Sequence, residues 1–74
     1  MKVRMVVHYV GAEYYGNWDE VAEAEDVSKL ADSIQNAVRN GDSFQLALND
    51  GSYIVLGETA LKTCVILIET LKDA

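Results

Sequence analysis

Thr63-Cys64-Val65-Ile66-Leu67-Ile68-Glu69-Thr70-Leu71 decides the architecture of this chain. In an extended backbone successive side chains point to opposite sides. Cys64, Ile66 and Ile68 therefore form one apolar face, and Val65, Leu67 and Leu71 form the other, interrupted only by Glu69. A strand that is apolar on both faces is expected to be covered on both. The rest of the 74 residues must supply that cover, and a chain of this size buries only about 60% of the surface its unfolded form exposes. It has room for one domain, 1–74, and one core.

Upstream, one segment has the period of a helix. Val27, Leu30, Ala31, Ile34 and Val38 recur at three- and four-residue intervals and make a single apolar stripe. Asp26 or Glu25 suits the positive end of the helix dipole and Arg39 the negative end, while Gly41 can take the left-handed conformation that stops a helix. The helix is expected over 26–40. Lys2 to Val10 alternates instead, with Val3, Met5, Val7 and Tyr9 on one face and Lys2, Arg4, Val6, His8 and Val10 on a mixed face, as a strand does. Gly11 and Gly16 bracket a segment that leads either to a second strand within Tyr14 to Ala24 or to an acidic loop.

Phe44, Leu46 and Leu48 alternate with polar or small residues, and Asn49-Asp50-Gly51-Ser52 carries the residues of a tight hairpin turn. Tyr53 to Leu56 returns as the partner strand. A helical turn at Glu58 to Leu61 then precedes the final strand, Thr63 to about Leu71. The expected fold is α+β: a four- or five-stranded, mainly antiparallel sheet with one amphipathic helix on one face. One helix covers one side, so the other must meet the 11–24 segment, curl into a barrel, or pack on another subunit. With one cysteine and no metal-ligand spacing, a small domain has self-association as its remaining device. A homo-oligomer is expected, with Val65, Ile66, Leu67 and Ile68 at its interface.

This order of elements resembles that of small actinobacterial and phage proteins of unknown function. The resemblance spans roughly residues 22–68 and is concentrated in Leu46 to Leu48, Asp50-Gly51, Ile54 to Leu56 and Val65-Ile66. Those actinobacterial proteins typically carry a proline where this chain has Gly57. The resemblance implies a fold, and no functional residue is carried over from it.

The net charge of -6 is confined to one stretch. Glu13, Asp19, Glu20, Glu23, Glu25, Asp26 and Asp32 face a single base, Lys29, whereas acids and bases balance elsewhere. With a pI near 4.4, the chain has no electrostatic reason to bind nucleic acid or an anionic membrane. Its longest apolar run, Cys64 to Ile68, falls far short of the roughly 18 residues of a membrane span. A single reduced cysteine, and an opening Met1-Lys2-Val3-Arg4 whose apolar run is too short for a signal peptide, suggest the cytoplasm, of the host cell if the protein is phage-encoded.

Nucleophilic catalysis needs a nucleophile, a base and a group that orients the base. His8, the only histidine, reaches Cys64 only if the first and last strands pair, and a half-buried histidine beside a structural thiol is the plainer reading. The acids lack the alternation and central glycine of a calcium loop, and the glycines occur singly rather than in a phosphate-binding run. No catalytic, cofactor-binding or metal-ligating residue is assigned. Tyr and Trp, by contrast, are enriched in interface hot spots. The expectation is a non-catalytic protein-interaction module, encoded by a phage or mobile element, that docks through Tyr14, Tyr15, Trp18, Asp19, Glu20 and Glu23 onto a basic partner. Three alternatives are a nucleic-acid-mimicking inhibitor of a host enzyme, a phage structural protein, and a ligand binder or enzyme with an intersubunit pocket near His8, Cys64 and Tyr53.

Overall fold

The alternating segment at the N-terminus becomes β1 (Lys2–Tyr9), the central strand of an antiparallel four-stranded sheet in a computed structural model that describes residues 1–72. Residues 73 and 74 of the expected 1–74 domain lie outside the described residues. One edge of β1 is shared by β2 (Ala12–Tyr15), opposite Val6 to Tyr9, and β3 (Asp19–Glu20), opposite Lys2 and Val3. The other edge is occupied from Lys2 to His8 by β6 (Val65–Leu71). β1 and β2 are joined by Val10-Gly11, with φ of 50° and 78°, the pair of positive angles that a two-residue I′ hairpin demands.

The strand sought within 14–24 is thus two short strands parted by Gly16-Asn17-Trp18. The break is a one-residue shift of register along β1, from Val6↔Tyr15 to Val3↔Asp19, and Gly16 lies just before it. Its amide donates to the Met5 carbonyl at 2.8 Å, and it bridges to Leu48. A Cβ there would stand 3.0 Å from the Met5 carbonyl oxygen and 3.4 Å from Leu46 Cδ1, so the absence of a side chain lets a second sheet approach.

That second sheet is the hairpin β4 (Phe44–Ala47) and β5 (Tyr53–Leu56), paired from Phe44↔Leu56 to Ala47↔Tyr53. The described residues therefore form six strands in two sheets, where the sequence pattern suggests one sheet of four or five. Gly51 turns the hairpin at φ 89°. Asp50 accepts from both the Ser52 amide and its hydroxyl, and the hydroxyl bond above all holds the Asp50 carboxyl below its ordinary pKa.

α1 (Ala24–Asn40) starts two residues before the expected position because the Asp26 carboxylate accepts the Glu23 amide at 3.0 Å, fixing the first turn. It stops at Gly41, φ 70°, where Gly41 and Asp42 donate to the Val38 and Ala37 carbonyls. Ala37 and Val38 pack against the core. No residue of α1 is fully buried, however. A cleft of about 160 Å³ remains between the helix and β6, lined by Ala31, Ile34, Gln35, Ile66 and Ile68.

α2 (Glu58–Thr63) is a full short helix rather than a turn, anchored by Leu61, which is 3% exposed. The Thr63 hydroxyl donates back to the Thr59 carbonyl and the Cys64 amide to that of Ala60. Both residues therefore finish the helix, and β6 begins at Val65 rather than at Thr63. Val7 of the large sheet, Leu46, Leu48 and Leu56 of the hairpin segment, and Leu61 close into one core cluster. Among the described residues, no helix is long and apolar enough to cross a membrane.

Candidate docking surface

The pairings around β1 fix which side chains share a face. Met5 and Val7 stand opposite Ile68 and Ile66 of β6, and Val7 also opposite Tyr14 of β2. These residues belong to the side that meets α1 and the hairpin. The alternate residues, Arg4, Val6 and His8, stand opposite Glu69, Leu67 and Val65 on one flank, and Val6 and His8 opposite Tyr15 and Glu13 on the other. That face is left open. Leu67 is 45% exposed and Trp18 39%, and Val65, Leu71 and Tyr15 are exposed with them. Val6, at 2% exposure, is enclosed by its longer cross-strand neighbours.

Arg4 organises this face. Its Nε donates to Glu69 Oε1 at 2.6 Å, and its guanidinium carbon lies 4.6 Å from the centre of the Trp18 ring and 5.1 Å from that of Tyr15. A guanidinium held against aromatic faces gains cation–π attraction of about 0.5–1 kcal/mol per exposed contact. The ion pair with Glu69 is partly exposed, and its main effect is to fix the geometry. The Tyr15 hydroxyl donates to the Glu13 carboxylate, a bond that together with the negative charge of Glu13 pushes the phenol pKa up. Glu13 also lies 3.6 Å from His8 Nδ1. The result is an ordered row of polar groups set in an apolar sheet face.

Of the six residues expected to bind a partner, Tyr15 and Trp18 come together around Arg4. Tyr14 does not join them: as the neighbour of Tyr15 in β2 it points the opposite way, packs on the core, and lines a cleft of about 220 Å³ with Tyr9, Ile54 and Leu56. Glu20, opposite Lys2, lies on the open face, whereas Asp19, opposite Val3, lies on the other side. There Asp19 borders a cleft of about 250 Å³ with Asn17, Leu30 and Leu46. Glu23 stands before α1, where a hydrogen bond with Glu25 and the charge of Asp26 raise its pKa. The four expected interface residues divide likewise, Val65 and Leu67 on the open face, Ile66 and Ile68 toward α1.

His8, Cys64 and Tyr53 are not assembled into a site. His8 faces Glu13, Cys64 packs on the core and donates to the Leu61 carbonyl at 3.4 Å, and Tyr53 is exposed on the hairpin. Burial raises the Cys64 thiol pKa, which disfavours the nucleophilic thiolate. Among the described residues, no group of three or more His, Cys, Asp or Glu is arranged to hold a metal ion. The residue that sequence reading missed is Arg4. Its place in the mixed face of an alternating strand was the available signal, but its neighbours depend on strand order. In comparisons with known proteins, no family model, curated protein or solved structure matches this chain.

Proposed function

We propose that this protein is a non-catalytic cytoplasmic docking module that receives a protein partner on the open face of the β1–β6 sheet. The observation that carries this reading is the arrangement of Trp18 and Tyr15 around Arg4 on a face left uncovered beside Leu67 and Leu71. Trp, Tyr and Arg are the residues most enriched in binding hot spots, and here they are ordered before a partner arrives, which reduces the entropy lost on binding. Glu13 and Glu20 stand at the margin as exposed carboxylates. They favour a partner with an apolar centre and a basic rim, and speed its approach more than they hold it.

A pull-down from lysate with immobilised wild type, Trp18→Ala, and a Glu13→Lys/Glu20→Lys double variant tests this, with Gln45→Ala on the exposed side of the hairpin as control. Proteins retained by wild type and the control are expected to be lost with Trp18→Ala. Charge reversal is expected to slow their association and flatten its salt dependence. Retention undiminished by either change would refute the assignment.

A further inference from the structure

Among the described residues the outer edge of β6 has no strand beside it, and this edge is distinct from the open face. In an antiparallel ladder each residue directs both its N–H and its C=O to the same neighbour, and successive residues alternate between neighbours. The Gly16 amide bonds the Met5 carbonyl and the Val21 amide bonds that of Met1, so the odd-numbered residues of β1 address β2 and β3. Its even-numbered residues must address β6, where their opposites are Val65, Leu67, Glu69 and Leu71. The N–H and C=O groups of Ile66, Ile68 and Thr70 therefore point away from the sheet. Among the described residues β6 pairs with β1 alone.

Natural edge strands are guarded by proline, bulges, shortness or unpaired charge. β6 has seven residues, with no proline and one charged residue, Glu69, which Arg4 already engages. Apolar surface flanks this edge on both sides. Val65, Leu67 and Leu71 are exposed on one face, and the cleft that α1 leaves open above Ile66 and Ile68 lies on the other. The polar residue lining that cleft, Gln35, is uncharged. β6 is also separated by β1 from Glu13, Asp19 and Glu20 on β2 and β3, so a like-charged molecule meets the least repulsion from those acids along this edge.

We propose that the occupant is a second copy of this chain, its β6 pairing antiparallel with β6 about a two-fold axis through Ile68. That register sets Ile66 opposite Thr70 of the other copy and Ile68 opposite itself, so every outward-pointing group of the three residues is paired. It also sets Val65 opposite Leu71 and Leu67 opposite Glu69 on the open side. The interface is isologous and closes at two subunits.

Light scattering on the full chain, up to about 100 μM so that association tighter than ~10⁻⁴ M registers, is expected to give twice the 8.2 kDa chain mass. Thr70→Pro deletes an outward donor without touching the β1 ladder, and Ile68→Lys sets like charges opposite each other. Both are expected to halve the mass while the wild-type circular dichroism is kept, whereas Leu67→Lys, facing Glu69 of the other copy, leaves the dimer intact. A monomeric wild type, growth beyond the dimer, or a dimer indifferent to both disruptive changes would overturn the proposal. Should either variant unfold, hydrogen exchange on the wild type decides: pairing protects the Ile66, Ile68 and Thr70 amides, and fast exchange there at high concentration refutes it.

Discussion

Replacing Val10 with asparagine is expected to stabilise this protein, although Val10 is a hydrophobic residue beside the central strand. Its φ of 50° puts a β-branched side chain in the left-handed region, where Cβ crowds the backbone at a cost of about 1–2 kcal/mol. Asparagine tolerates this conformation and Asn-Gly is a preferred I′ pair, so most of that strain is released. The loss is small. Val10 is 85% exposed, and of the roughly 1.5–3 kcal/mol that full burial of such a side chain contributes, only about 0.2–0.4 kcal/mol is at stake. The net gain is about 1 kcal/mol, equivalent to roughly 4–8 °C in Tm for a domain of this size. Urea denaturation of Val10→Asn beside wild type measures it, and Val10→Gly separates the contributions. Glycine relieves the same strain but adds entropy to the unfolded chain, so it should gain less. An unchanged or lowered urea midpoint for Val10→Asn would refute the reasoning.

Leu61→Ala should cost about 2–5 kcal/mol, because Leu61 is 3% exposed at the centre of the core. Against a total of about 4–11 kcal/mol for a chain of this length, that change alone can unfold it. Ile34→Ala, on a helix with no fully buried residue, should cost less, about 1–2 kcal/mol, and the order of the two denaturation midpoints checks this. Asp50 titrates below its ordinary pKa of 3.8 when folded. Its contribution is complete above that value and is lost as the pH falls through the lower folded one. Ser52→Ala, which removes the hydroxyl that chiefly causes the shift, should therefore lose less stability than wild type as the pH falls below 3.8, as read by urea midpoints at each pH.

Local pattern made α1 and the β4–β5 hairpin legible, since a stripe at helical spacing and a glycine-bearing turn act within a few residues. The apolar faces of β6 were legible too, by parity. What parity alone leaves open is which face the helix takes, because α1 and β6 are distant in sequence and their packing is tertiary. The segment after Gly11 carries the weakest local signal. Its division into β2 and β3 is a shift of register against β1, and the approach of Leu46 of the second sheet to Gly16 beside it is a contact with no local mark. Without that strand assigned, Tyr14 and Tyr15 read as one aromatic group, although adjacent strand residues necessarily point apart. The role of Arg4 has no local mark for the same reason: Glu69 lies 65 residues away in the chain, and only the β1–β6 register brings them together.

The indole beside Arg4 has a practical consequence, because Trp18 is the single tryptophan of the chain. Its fluorescence reports one place on the molecule without any label. At 39% exposure the excited ring is still partly relaxed by water, so a partner that covers it would move the emission toward shorter wavelengths. Pairing along β6 lies across β1 from that ring and would leave the spectrum unchanged. A single titration can then tell the two events apart, with scattered light following the mass and emitted light following occupancy of the face.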